Sequence, residues 1–219
     1  MSDPTGAPGS GGPLADDSSG PEWSPNQQAA RARIARAAAA LIMREGIGAC
    51  TVRAVADEAG TTKSTVHYYV HDANELVDLG VESFLRLLAT ETRARMDDEP
   101  DAVAALRILV DAFMDREKRV VTLEDPTVWA AYTAHAWARG ASEQLVVCFE
   151  LFGGLFEHAL ARCGVEDAAE RGWSIYMYLL GAAQRNVVLP VSAGEVERAV
   201  SALGGVALAP VRHRSRSRA

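Results

Sequence analysis

Lys63, Ser64, Thr65, His67 and Tyr68 stand in one short run of the 219-residue chain: an ammonium group, two hydroxyls, an imidazole and a phenol. The run holds hydrogen-bonding groups and no recognisable nucleophile motif. It suits the reading of a double helix, with Lys63 on a guanine edge or a phosphate, Ser64 and His67 on base edges, and Thr65 and Tyr68 on the backbone, where hydroxyls fix register. Elsewhere chemistry is sparse. His67, His71, His135, His158 and His213 fall in no HExxH motif, no Cys/His cluster and no nucleophile elbow. Gly153-Gly154 lies inside an apolar helical run rather than between a strand and a helix, so it is no phosphate-binding loop. The chain is therefore not expected to be an enzyme, and no cofactor or metal is expected.

Groups presented in this way need a helix whose other face is held. Thr62 can cap a helix from Lys63 to Tyr69 in which Val66, Tyr69 and Val70 share one face and Lys63, Ser64, His67 and Tyr68 the other. So short a helix must be docked on neighbours. Upstream, Thr51 caps another short helix with apolar residues at Val52, Val55, Ala56 and Ala59, ending at Gly60. The spacing predicts a helix-turn-helix, with the second helix entering a major groove by its N-terminus. The same twenty residues also fit a plain solvated helix pair in an all-α protein. A longer supporting helix starts earlier, with Ser24 as cap, Pro25 at its first position, Gln27 completing a capping box and an apolar stripe at Ala30, Ile34, Ala37, Ala38, Leu41 and Ile42. Gly46 and Gly48 end it, and its outward Arg31 and Arg33 are either solvated charges or phosphate neighbours.

The run GTTKSTVHYYVHDANELV resembles the recognition-helix signature of the TetR family of transcriptional regulators, and the resemblance spans about residues 26 to 80. It implies DNA contacts at Lys63, Ser64, Thr65, His67 and Tyr68 beside the cap Thr62, with Thr51 and Arg53 near a phosphate. Two positions depart from the family pattern. Ala73 replaces a lysine that touches phosphate in many members, and Thr61 replaces an apolar turn residue.

Charge is distributed as such a reading needs. The net charge is -7, yet residues 27 to 71 hold six Arg or Lys against three acids, while residues 72 to 211 hold twelve against twenty-two. A basic headpiece on an acidic body turns one end toward DNA. Composition is Ala-rich and poor in aromatics and strand-like alternation, which predicts an all-α fold. There is no run of eighteen apolar residues and no signal-type N-terminus, so no membrane is expected and the location is expected to be cytoplasmic. Cys50, Cys148 and Cys163 are odd in number and unpatterned, as for ordinary buried thiols.

Four parts are expected: a disordered tail over 1–22, a helix-turn-helix domain over 23–72, an effector-binding and dimerisation domain over 73–205, and a flexible basic tail over 206–219. Residues 1–22 are mostly Gly, Pro, Ser and Asp, too poor in large apolar side chains to offset the entropy of folding. Asp72 and Glu75 open a long helix from about Ala73 to Met96, striped by Val77, Val81, Phe84, Leu87 and Leu88, with Gly80 as its weak point. It links the domains. Five more helices follow, at about 101–119, 126–138, 141–163, 167–189 and 192–204, for nine in total.

Aromatic residues gather in the acidic body. A pocket for a mainly apolar or aromatic effector, or second a cation, is expected around Trp129, Tyr132, His135, Phe149, Phe152, Trp173 and Met177, although each one alone also suits a core. Small residues at Gly181, Ala182, Ala183, Ala199 and Ala202 let backbones approach. The family resemblance implies that the last two helices pair with their copies in a homodimer, whose two recognition helices read a palindromic operator. The expected function is a repressor released from DNA by a small molecule. Two alternatives remain: a helix-turn-helix regulator without an effector, and a small helical enzyme.

Overall fold

The computed structural model describes residues 23–114 and 126–208. The expected tails over 1–22 and from 209 onward, and the end of the helix expected to reach 119, lie outside the described residues. Nine α-helices occur among the described residues: α1 (Pro25–Glu45), α2 (Val52–Glu58), α3 (Lys63–Tyr69), α4 (Ala73–Asp97), α5 (Ala102–Met114), α6 (Pro126–Ala138), α7 (Ser142–Arg162), α8 (Ala168–Val188) and α9 (Ala193–Gly204). A short 3-10 turn, Ile47–Ala49, follows α1. The chain is all-α, as its composition predicts.

The helix ends follow local chemistry. Ser24 Oγ accepts from the Gln27 N–H while Gln27 Oε1 accepts from the Ser24 N–H, closing the capping box of α1. Thr51 and Thr62 cap α2 and α3 in the same position, each accepting from the backbone N–H three residues on. Gly60 ends α2 at φ 59°, where a Cβ is disfavoured, and the following N–H of Thr61 reaches back to the Ala56 carbonyl, 2.9 Å away, as in a Schellman turn. At α4, Asp72 accepts from the Glu75 N–H at 2.8 Å, but Glu75 Oε2 takes the N–H of His71 at 2.6 Å. The expected reciprocal box is thus displaced by one residue.

α1 lies along the first half of α4, and α2 and α3 pack beside it. Gly80 is where the two long helices meet: a Cβ there would stand 2.9 Å from Ala38 Cβ and 3.1 Å from the Ala38 carbonyl carbon. This contact accounts for a glycine inside a helix that otherwise gains nothing from it. Of the expected α4 stripe, Val77, Val81, Phe84 and Leu88 are buried, whereas Leu87 is 49% exposed. Leu87 follows Phe84 by three and precedes Leu88 by one, which places it at the edge of the stripe, where α5 and α7 do not cover it.

The far end of α4 is tied to α7. The Arg162 guanidinium donates to the carbonyls of Met96 and Glu99, and His158 Nε2 lies 3.1 Å from Asp97 Oδ1. A cation on the last carbonyls of a helix satisfies acceptors that have no partner within it. α7 is long and apolar enough to cross a membrane by length and composition. Its Phe152, Leu155, Phe156, Ala159 and Leu160 are nonetheless buried against the neighbouring helices. α7 and α8 touch closely at Gly172, where a Cβ would meet the backbone of Glu157 at 2.8 Å.

Candidate nucleic-acid interface and the aromatic body

α3 buries Val66, Tyr69 and the following Val70 and leaves Lys63, Ser64, His67 and Tyr68 exposed. These four project from one side of a helix that is held from behind by α1 and α2. Thr65 is half-buried, and its hydroxyl pairs with that of Thr62 at 2.9 Å. Thr62 and Thr65 therefore serve the helix start first, with one hydroxyl proton of the pair left to donate outward. Thr51 likewise accepts the Ala54 N–H, and Arg53 is exposed one residue into α2.

The basic residues divide by partner. Arg44 forms ion pairs with Glu45 at 3.0 Å and with Glu58 of α2 at 3.1 Å, and these carboxylates raise its pKa further. It braces α1 against α2 and contributes little free charge. Arg33, Arg36, Arg53 and Lys63 are exposed.

Two side chains that sequence reasoning gave no part in the interface also reach α3. Trp23 packs on Tyr68 and Tyr69, with ring centroids 5.7 and 5.3 Å away, and Gln27 Nε2 donates to the Tyr68 hydroxyl at 2.8 Å. A large aromatic just before a helix cap is a local signal for docking, but it does not say onto what.

In the body, Trp129, Tyr132, Phe149 and Phe152 are brought together with Phe113, Phe156 and Tyr176. Their rings touch edge to face or tilted, with Phe156 stacked on Tyr176, at centroid distances of 5.4 to 6.1 Å, so the cluster is filled by its own side chains. Trp173 closes the rim of the cluster, its ring 5.9 Å from that of Tyr176 and laid over Gly153 while 38% exposed, whereas Met177 is 44% exposed outside it. Trp137 is 77% exposed.

Open space borders the cluster on the side of α1 and α4. A void of about 10 Å³, room for roughly one water, opens where α1, α4 and α6 meet. Ile42, Gly80, Val81, Phe84, Trp129 and Tyr132 are among its walls. Beside it, Asp78 Oδ1 accepts from the Tyr132 hydroxyl at 3.1 Å and from Arg139 Nη2 at 2.7 Å, joining α4 to α6. Burial drives the Tyr132 phenol far above its ordinary pKa, and it stays a neutral donor. One turn along from Tyr132, His135 has a buried Nε2 without a partner among the described residues. The three thiols are free, and burial raises Cys50 and Cys148 to about 11, so they are inert thiols at neutral pH.

Residues 34–72 match the family model of bacterial regulatory proteins, tetR family. These residues thus resemble the DNA-binding segment of the TetR family. That match spans the end of α1, α2, α3 and the cap of α4, the part whose geometry presents Lys63, Ser64, His67 and Tyr68. Solved structures extend the likeness, in fold alone, to the helices beyond that segment. A candidate TetR-family transcriptional regulator from Rhodococcus sp. is 21% identical, with a TM-score of 0.62, over 83% of this chain and 100% of that one. A candidate transcriptional regulator from Saccharomonospora viridis, solved in complex with choline, is 17% identical, with a TM-score of 0.55, over 81% and 95% of the two chains. The fatty acid degradation regulator FadR from Bacillus halodurans is 17% identical, with a TM-score of 0.54, over 88% and 100%. No curated protein matches the sequence. The chain is a DNA-binding transcription regulator with a helix-turn-helix.

Proposed function

We propose that the protein is a homodimeric repressor that reads a palindromic operator through α3 and is released by a small molecule bound in the body. The observation that carries the first part is the exposed row of Lys63, Ser64, His67 and Tyr68 on a braced helix within a basic headpiece. Arg53 and Thr51 flank it as phosphate contacts. The protein works where its DNA is, in the cytoplasm. The deciding experiment is footprinting on the intergenic DNA beside its own gene: protection of a palindrome supports the reading, and uniform weak binding along the fragment removes it.

Dimerisation is assigned to α8 and α9. On α8, Trp173, Met177, Gly181 and Val188 are exposed at helical spacing, and among the described residues nothing stands within 4 Å of a Cβ at Gly181. Ala182 is 7% exposed and faces inward, so Gly181 and Met177, rather than Ala182, are the positions to charge. Gly181→Arg together with Met177→Arg should halve the mass seen by light scattering; an unchanged mass moves the interface elsewhere.

The effector site is assigned to the seam of α1, α4 and α6, where Trp129 and Tyr132 wall the void; His135, outside its walls and three residues on from Tyr132, has a buried nitrogen without a partner among the described residues. A ligand there must enlarge the void, which parts α6 from α4 and α1 and favours a second arrangement of the headpiece. Choline in the Saccharomonospora viridis structure and the fatty acid link of FadR are compatible with a mostly apolar effector, or second a cation. The filled ring cluster supports the other reading, a regulator without an effector. Native mass spectrometry of protein purified from its own cells separates the two: a co-purifying small molecule that Tyr132→Ala loses supports the sensor.

A further inference from the structure

Gln27 uses both ends of its amide. Oε1 accepts the Ser24 N–H at 2.8 Å, and Nε2 donates to the Tyr68 hydroxyl, also at 2.8 Å. Amide oxygen and nitrogen are ordinarily interchangeable in density, but a backbone N–H can only donate, so the oxygen must face Ser24 and the nitrogen Tyr68. The Tyr68 oxygen is then the acceptor. Its own proton is left over, and no acceptor stands on it among the described residues. The ring meanwhile is held edge-on by Trp23 and by Tyr69, with centroids 5.7 and 5.0 Å away, although it is 58% exposed. An exposed side chain with its rotamer already fixed loses little further freedom when it binds.

We propose that Gln27 is a positioning residue for DNA binding: it fixes the direction of the Tyr68 hydroxyl so that the phenolic proton is presented to a backbone phosphate. The inference rests on α3 being the DNA-facing helix. Tyr68 lies one turn beyond Ser64 on the exposed side, and a neutral donor to a phosphate oxygen is a charge-assisted bond. Glutamate at position 27 still closes the capping box, yet its second oxygen must accept the phenolic proton. The hydroxyl is then turned inward and the phosphate loses its donor.

Binding of a fluorescein-labelled mixed-sequence duplex at low salt tests this, because a phosphate contact needs no operator. Gln27→Glu also adds a negative charge, so Asn26→Asp, exposed one residue away with the same charge, is its control. Gln27→Glu should weaken binding by roughly three- to tenfold more than Asn26→Asp does, and the excess should vanish in a Tyr68→Phe background. Melting temperature should stay near that of the wild type. An excess that persists without the phenol, or no excess at all, overturns the role of Gln27. If the wild type fails to bind the duplex, or if Arg53→Ala with Lys63→Ala leaves binding unchanged, the DNA-facing reading of α3 falls and this inference falls with it.

Discussion

Two aromatic clusters do opposite things. Trp23, Tyr68 and Tyr69 meet at the edge of the headpiece, where Tyr68 keeps 58% exposure and its hydroxyl accepts from Gln27. Phe113, Phe152, Phe156 and Tyr176 meet in the body, where Phe156 is 0% exposed and stacks on Tyr176 at 5.8 Å. The first cluster stiffens a polar surface. The second fills space, and burial holds the Tyr176 phenol neutral by pushing its pKa upward. The residues differ, hydroxyl- and N–H-bearing rings in the first and mostly phenylalanine in the second, and so do the elements around them: the body rings come from α5, α6, α7 and α8 and enclose one another.

Four experiments sharpen or break that contrast. The largest effect belongs to Phe156→Ala, which should lower stability by about 3–5 kcal/mol and the melting temperature with it. A cost below about 1 kcal/mol, recovered by added ligand, would instead make the cluster a pocket lining. Next, Lys63→Ala should weaken operator binding by about 1–3 kcal/mol while the melting temperature stays put, as expected for a surface that reads rather than packs. Equal loss on operator and mixed-sequence DNA would show that Lys63 meets phosphate alone. Arg139→Ala strips the cationic partner from Asp78, whose side chain is 14% exposed and keeps only the Tyr132 hydroxyl, and should cost about 1–2 kcal/mol. Restored stability in Asp78→Asn with Arg139→Ala would confirm the pair, and full additivity would deny it.

The smallest effect is a pH dependence. The Glu75 N–H holds the Asp72 carboxyl below the usual carboxylate range. A depressed folded value means that the contribution is present at neutral pH and lost as pH falls through the folded value, below the ordinary aspartate pKa of about 4. Asp72→Asn keeps the cap but should flatten the acid side of a melting-temperature profile; an unaltered profile would show that other carboxylates carry it.

How much of this was legible in the sequence follows from the same contrast. The headpiece is written in local signals: Thr51, Thr62 and Gly60 set the limits of α2 and α3, and Val66 and Tyr69 fix which side faces out. All of these act within four residues of themselves. The void between α1, α4 and α6 is a remainder, the space left after these helices have packed, and no local pattern encodes a remainder. The aromatic count groups Phe149 and Phe152, which pack on other rings, with Trp173, which reaches Tyr176 from the rim, and Met177, which is exposed. Leu87 and Ala182 went astray for a related reason, since each sits at the border of an apolar arc whose side is settled by a distant helix. Gln27 was read as a cap, and its second partner lies 41 residues along the chain.

The crossing at Gly80 also constrains how this chain can diverge. With 2.9 Å between a Cβ at position 80 and that of Ala38, the two positions share a single methyl between them. A descendant that acquires alanine at 80 must shed the methyl at 38 or slide α1 along α4, and sliding displaces α3 with it. Positions 38 and 80 are therefore expected to covary, trading one small side chain for the other across the lineage while the register of the recognition helix is preserved.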